Sequence, residues 1–217
     1  MKRITLFAGH YGSGKTNIAV NYALKLHKLG KPVQIADLDI VNPYFRTKDS
    51  AEELAEAGIE LISPAYANSN VDLPALPQEV YGLVQNKNIY AIMDIGGDER
   101  GALALGRYRP YILEESDYEM VFVANFYRPL TRTAEEAIEV MREIEAAGGI
   151  PFTAIVNNSN IGEETSAEDI KASYDEAKKL SELTSLPIIF TTVKEDLVSS
   201  CEGEEILPLK LQKKIIN

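Results

Sequence analysis

Gly9-His10-Tyr11-Gly12-Ser13-Gly14-Lys15-Thr16 sets three glycines, a lysine and a hydroxyl within eight residues, the spacing G-x-x-x-x-G-K-[ST]. Glycines let a backbone curl until consecutive N–H groups converge on one point, which suits phosphate oxygens. A helix opening there adds its positive N-terminal end. Lys15 then supplies a point charge to the β- and γ-phosphates of a nucleotide, and Thr16 a hydroxyl ligand to Mg2+. Asn17, next in line, is counted with the nucleotide-binding residues. The chemistry implied is hydrolysis or transfer of a phosphoryl group.

Mg2+ is a hard cation that takes oxygen ligands and keeps several waters, so a carboxylate has to stand beside the loop. The apolar run Tyr90-Ala91-Ile92-Met93 ends in Asp94, followed by Ile95-Gly96-Gly97, and reads as a Walker B element whose glycines leave room near the γ-phosphate. A second run ends Asp37-Leu38-Asp39, at the edge where ligands of open α/β sheets bind. One of these two acids orients the attacking water or a Mg2+-bound water while the other anchors the loop; Asp39 is the more catalytic choice. The catalytic set is then Lys15, Asp39 and Asp94, and the metal set Thr16, Asp39 and Asp94.

The chain has eight arginines, six of them just after the second, fourth and fifth apolar runs: Arg46; Arg100, Arg107 and Arg109; Arg128 and Arg132. In a parallel sheet these segments converge on the γ-phosphate face, and the planar guanidinium suits carboxylate or phosphate bidentately. They form a candidate second-anion or partner site, or an arginine finger offered within or across subunits. Loops and helix starts are also often basic simply because they are solvated. On the functional reading, Arg128→Ala affects turnover or second-ligand binding more than ATP affinity.

The elements that must position these residues are legible as alternation. Residues 4–8, 32–37, 59–63, 90–94, 120–124, 152–156 and 187–191 are nearly continuous apolar runs, as strands buried on both faces are. Between them apolar residues recur at three and four. Ile18, Tyr22, Leu26 and Leu29 line a helix stopped by Gly30. Thr133 with Glu136 forms a capping-box pattern ahead of Ala137, Met141 and Ile144, with an end at Gly148-Gly149; Ser166 with Asp169 does the same ahead of Ile170, Tyr174, Ala177 and Leu180. Residues 64–78, with three prolines, read as a surface loop, and Pro110 should break the helix after the fourth strand. The result is a mostly parallel α/β fold in one domain, 1–217.

Composition narrows the partners. With 22 Lys+Arg against 33 Asp+Glu the formal charge is −11, which repels phosphate backbones, so no nucleic acid is expected. Cys201 is the only cysteine and His10 and His27 the only histidines, so neither a disulfide framework nor a Cys/His metal cluster can form within one chain. No apolar stretch approaches the ~18–20 residues that span a bilayer, and no cleavable leader is evident; a cytoplasmic protein is expected. The basic, apolar end ILPLKLQKKIIN is interrupted by Pro208 and reads as a packed terminal segment rather than a membrane helix.

GHYGSGKT in a first strand–helix unit, DLD after the second strand and MDIGG after the fourth resemble the MinD/ParA/CobQ group of P-loop ATPases, which includes nitrogenase iron-protein-like and dethiobiotin-synthetase-like members. The resemblance extends over essentially the whole chain. It implies a three-layer fold around a seven-stranded sheet in the order 3-2-4-1-5-6-7, with ATP (or ADP) and Mg2+ as ligands. It also implies that Asn157 contacts the base and that residues 192–194 border the adenine; the absence of an N-K-x-D motif favours ATP over GTP. Partner-switching members carry a signature lysine just after the first glycine, where this chain has His10. Neutral imidazole, with a usual pKa of ~6.5, does not supply that charge reliably at pH 7. His10 is either a phosphate-proximal donor or a packed loop residue. Two functions follow from the resemblance. One is an ATPase whose nucleotide state switches dimerisation, plausibly a homodimer, or binding of a protein partner. The other is an ATP-dependent kinase or carboxylate-activating enzyme with an anionic small-molecule substrate.

Overall fold

The seven apolar runs are strands, and the computed structural model, which describes residues 1–39, 47–63, 79–97, 99–201 and 205–211, adds an eighth. They are β1 (Ile4–Ala8), β2 (Val33–Leu38), β3 (Glu60–Ile62), β4 (Tyr90–Ile95), β5 (Tyr118–Ala124), β6 (Ala154–Asn157), β7 (Ile188–Lys194) and β8 (Ile206–Leu209). All pair in parallel, in the order β3-β2-β4-β1-β5-β6-β7-β8. The predicted order holds and continues by one strand. Pro208 hid β8 in the sequence, but proline is tolerated on an edge strand: it is exposed while Leu207 and Leu209 on either side are buried.

Eight helices cover the described sheet: α1 (Lys15–Lys28), α2 (Ala51–Glu56), α3 (Glu79–Gln85), α4 (Glu99–Leu105), α5 (Arg109–Glu115), α6 (Ala134–Gly148), α7 (Ala167–Ala172) and α8 (Tyr174–Thr184). Strand alternation divides the core between two faces. Met120, Phe122 and Ala124 of β5 face α3, α4, α5, α6 and α8. Val121 and Val123 face the opposite layer, where Ile18, Tyr22 and Leu26 of α1 and Leu54 of α2 pack. Three layers result.

Local signals explain most boundaries. α1 ends at Lys28, so Leu29 is exposed rather than on the buried stripe, and Gly30 takes φ +74° with its N–H on the His27 carbonyl. Thr133 Oγ1 accepts the Glu136 N–H at 3.3 Å, but the Glu136 carboxylate takes the Arg132 N–H instead of closing the box. Ser166 and Asp169 close both halves. The helix predicted to run from there through Leu180 is divided at Ser173, whose hydroxyl donates to the Ile170 carbonyl and accepts from Asn157 Nδ2. Pro110 stands in the first turn of α5, where its missing N–H costs nothing, and the chain turns between α4 and α5 just before it. The predicted loop 64–78 lies outside the described residues. At the sheet's N-terminal edge Arg3, 7% exposed, bonds the Glu115 carboxylate (2.6 Å) and the carbonyls of Asn86 (2.9 Å) and Val84 (2.5 Å).

This order makes β1 the point where the chain, having laid β2, β3 and β4 on one side, begins to lay strands on the other. Ligands of open α/β sheets sit at the carboxyl end of such a point. Register then brings the acids together: β2 and β4 align Asp37 with Asp94, and β4 and β1 align Asp94 with Phe7, two residues before Gly9.

Candidate functional site

Between Ala8 and Lys15 the chain forms a tight loop against the carboxyl end of the sheet. Gly12 and Gly14 hold φ +77° and +88°, a region that costs a side-chain-bearing residue about 1 kcal/mol or more. Ser13 N–H closes a turn on the His10 carbonyl at 3.0 Å, and α1 begins from Gly14, whose carbonyl accepts the Ile18 N–H. Gly97 abuts this loop: a Cβ there would come within 2.5 Å of the Gly9 carbonyl and 2.9 Å of the Tyr11 nitrogen. The glycines after Asp94 therefore serve close backbone approach.

Inside the curl the charges are buried. Lys15 Nζ is 2.8 Å from Asp39 Oδ2, with both residues under 5% exposed. Burial alone would depress the lysine pKa, but Asp94, Asp39 and Asp37 outweigh it and hold the ammonium above its ordinary value. Asp94 is fully buried, and its pKa is pushed up to about 6, first by burial and further by Asp39, against the opposing pull of Lys15 and of hydrogen bonds from Thr16 and Thr47. The Thr47 hydroxyl, from a 3-10 turn at Thr47–Ser50, donates to Asp94 Oδ2 at 3.1 Å. Asp37 Oδ1 accepts the Asp39 N–H at 3.0 Å. Of the two acids after β2, Asp37 thus braces the turn and Asp39 reaches Lys15.

These side chains fit a divalent cation held jointly with phosphate. Asp94 Oδ1 is a buried oxygen without a hydrogen-bond partner, and the carboxylate is otherwise surrounded by the Thr16 and Thr47 hydroxyls, Lys15 and Asp39. Among the described residues no group of three or more His, Cys, Asp or Glu is arranged to hold a metal by itself, so a cation here takes its remaining oxygens from phosphate and water, as Mg2+ commonly does.

A cavity of about 410 Å3 opens beside the loop. One wall is the loop itself with Lys15, Thr16 and Asn17. Arg128, Asn158, Asn160 and Glu163 also line it, with Leu209 of β8 and Leu211 just after that strand. Asn157 is not among the lining residues. Its amide is spent inside the fold, donating to Ser173 Oγ at 2.8 Å and accepting from Ser159. Asn158, the next residue, lines the cavity instead. Thr192 donates to Asn158 Oδ1, which aims Nδ2 at the Ser13 carbonyl, 2.6 Å away. His10 is half-buried, its Nδ1 3.0 Å from the Tyr11 carbonyl, and does not line the cavity.

The four of these arginines whose side chains are described do not gather. Among the described side chains of that set, Arg128 alone lines the cavity. Arg132 is exposed at the start of α6. Arg109 lies along Gly149, the residue that ends α6 before the chain enters β6, and is therefore at the opposite, N-terminal edge of the sheet; Arg107 in the same turn is exposed. The expectation overlooked that α4 carries the chain back across the sheet before Arg107 is reached. Arg46 lies outside the described residues, and of Arg100 only the backbone, in α4, is described. Thr47, Asn158, Asn160, Leu209 and Leu211 are site residues that motif reading passed over, because each is placed by a turn or an edge strand rather than by a spacing.

No protein-family model matches the chain, and no curated protein matches its sequence. Solved structures do match. FtsY from Thermotoga maritima superimposes with a TM-score of 0.60 at 15% identity, over 88% of this chain and 62% of that one. Chloroplast FtsY from Physcomitrella patens gives 0.59 at 17%, over 88% and 58%. The 54 kDa signal recognition particle protein from Aeropyrum pernix K1, in complex with GDP, gives 0.52 at 17%, over 87% and 40%. The chain has the P-loop NTPase fold. It spans about six-tenths or less of these proteins' own length, and the likeness is one of fold, shared with FtsY and the signal recognition particle protein without singling out the MinD/ParA/CobQ group. Within the P-loop NTPase fold described here, no helix among the described residues is long and apolar enough to cross a membrane.

Proposed function

We propose that this chain is a Mg2+-dependent ATP-binding protein and ATPase of the MinD/ParA/CobQ-like kind, whose nucleotide state switches dimerisation or the binding of a partner. The observation that carries it is the curled loop with left-handed Gly12 and Gly14, closed over a buried Lys15 that is surrounded by Asp39, Asp94 and Asp37. The loop N–H groups and the start of α1 suit phosphate oxygens. Asp94 and Thr16 are the residues that would hold Mg2+, with Asp39 beside them; the ion, when bound, neutralises charge on the phosphates. Asp39 is the counter-ion of Lys15. A phosphate competing for Lys15 releases that carboxylate, which is then placed to orient a water. Asn158 and Asn160, together with Leu209 and Leu211, border the space for the base.

ATP is the base choice. The signal recognition particle protein from Aeropyrum pernix K1 and FtsY from Elizabethkingia anophelis were solved with GDP, so guanine is the competitor. The segment after β6 reads Asn157-Asn158-Ser159-Asn160, with no lysine and no acid in the N-K-x-D pattern. Equilibrium binding of ATP and GTP with Mg2+ to the wild type and to Lys15→Ala tests the reading. Lys15→Ala is expected to abolish binding at concentrations that saturate the wild type. Retained tight binding removes the central claim, and a preference for GTP replaces the base assignment.

The second reading, ATP-dependent phosphorylation or activation of an anionic small molecule, draws on Arg128 in the cavity wall. It is weakened by the dispersal of the other described arginine side chains of that set, since Arg107 and Arg109 lie at the far edge of the sheet and Arg132 does not line the cavity.

A further inference from the structure

Among the described residues two cationic side chains line the cavity, and they differ in what they already hold. Lys15 is committed to Asp39. Arg128 has a buried Nε with no hydrogen-bond partner, and its guanidinium makes no ion pair among the described residues. Buried polar groups without partners are rare and ask for an explanation. Other cations near this edge are engaged elsewhere: Lys194 with Glu163 (3.2 Å) and Asp196 (3.3 Å), and Lys210 with Glu53 (2.7 Å). We propose that Arg128 reads the terminal phosphate of a nucleoside triphosphate bound in its own subunit, an assignment that rests on the nucleotide-binding reading above.

Its position follows from how the segment after β5 is tied down. Asn125 accepts the N–H groups of Tyr127 (3.1 Å) and Asn160 (3.3 Å) on Oδ1 and donates to the Asn160 carbonyl. Thr131 Oγ1 returns to the Asn125 carbonyl at 2.8 Å, and Tyr127 OH reaches the Asp169 carbonyl at 2.7 Å. Two residues past Arg128, Leu130 is held at φ +66° while 62% exposed. Such strain in a leucine persists only where surroundings over-determine it, and it clusters at functional sites. The turn is thus fixed before any ligand arrives, with Arg128 Nε 3.7 Å from where a Cβ on Gly12 would stand.

The orientation of a bound nucleotide decides which phosphate Arg128 meets. The apolar wall suited to a base, Leu209 and Leu211, belongs to the α1 side of the cavity, because Lys210 between them exchanges backbone bonds with the Asn21 side chain (3.0 and 3.1 Å). Gly12 lies on the arm of the loop that arrives from β1. A nucleotide with its base on that wall and its phosphates along the loop extends its last phosphate toward Gly12 and Arg128, where a guanidinium forms paired, charge-assisted bonds. A diphosphate, one unit shorter, leaves Arg128 unsatisfied, so the side chain discriminates between nucleotide states without help from a second subunit.

The test measures affinity for ADP and for a non-hydrolysable ATP analogue, both with Mg2+, in the wild type, Arg128→Gln and Arg128→Lys. The expected result is a loss of about tenfold or more for the triphosphate analogue in Arg128→Gln, the order of one charge-assisted bond. ADP affinity should stay within about twofold, the same bond being absent, with Arg128→Lys intermediate because it keeps the charge but not the fork. The free side chain has no hydrogen bond to lose, so the melting temperature of unliganded Arg128→Gln should match the wild type, which separates recognition from folding. Equal loss for both nucleotides places Arg128 at the base or the inner phosphates and overturns the proposal, as does no loss for either. A wild type that binds neither nucleotide removes the nucleotide reading and this proposal together, an outcome distinct from failure in the variants alone.

Discussion

Asp94 occupies the environment in this site least suited to its own charge. Burial raises its pKa to about 6 even though Lys15, Thr16 and Thr47 all stabilise the carboxylate. Because the folded pKa lies above the unfolded value, the group's contribution to stability is fully present below about pH 4 and is lost as pH rises through about 6. At pH 7.5 the unliganded protein therefore carries a destabilising carboxylate, of the kind tolerated where function uses it. Asp94→Asn should raise the melting temperature of the free protein at pH 7.5, by an amount on the order of 1 kcal/mol in stability. The gap to wild type should narrow as the pH is lowered to 5. Melts from pH 5 to 8 check it, and a gap that is constant across that range contradicts the assignment. The same variant should lose Mg2+-dependent tightening of nucleotide binding. Asp94, Asp39 and Lys15 were legible in the sequence because strand ends and a motif spacing fix them. Asn158 was not: which of four consecutive polar residues, 157 to 160, faces the cavity depends on how β6 ends, and a shift of one residue turns a side chain to the other face.

At the scale of elements, β6 and β7 act on the phosphate loop from behind. Thr192, on β7, orients the Asn158 amide, and Asn158 holds the Ser13 carbonyl. A Cβ on Gly14 would collide with Asn158 Nδ2 as well as strain a backbone at φ +88°. Gly14→Ala should therefore destabilise the fold by about 1–3 kcal/mol, part of it the left-handed backbone and part of it the collision. Asn158→Ala, which strands the buried Ser13 carbonyl, should cost about 1–3 kcal/mol as well. In the double variant the two costs should fall short of their sum, since the collision is gone once the amide is removed. Urea melts of the four proteins measure the coupling. Simple additivity would show that the loop and β6 are independent. Strands and the long helices were readable from apolar periodicity. What escaped were β8, whose proline reads as a breaker until its edge position is known, and the division between α7 and α8, which falls where the Ser173 hydroxyl donates to the Ile170 carbonyl and accepts from Asn157 Nδ2 and not at any residue that disfavours helix.

For the molecule as a whole, sheet order decides what net charge cannot. A chain of charge −11 places its buried lysine, three carboxylates and one unpartnered guanidinium at the carboxyl end of β1, β2, β4 and β5 and sends Arg107 and Arg109 to the opposite edge. Arg107 and Arg109 leave the cluster read from the sequence because a short helix carries the chain across the sheet before they are reached, so closeness to a strand end along the sequence is not closeness in space. This bears on assembly. His10, where the resemblance puts a lysine, has its Nδ1 3.0 Å from the Tyr11 carbonyl. If Arg128 supplies the cation from within the subunit, nucleotide binding is complete in one chain, and any dimer must form on surfaces that the nucleotide orders rather than through a shared phosphate contact. Tyr11, next to Gly12, and Leu130, two residues past Arg128, are exposed and present apolar area near it. On the switching reading, solution mass should double with Mg2+ and a non-hydrolysable ATP analogue and stay monomeric with ADP, and Leu130→Ser should reduce that doubling while leaving affinity for the analogue in the monomer near wild type. A mass indifferent to nucleotide at concentrations that saturate the site would move the function to the second reading, in which the triphosphate is consumed on a small anionic substrate and the monomer is the working unit.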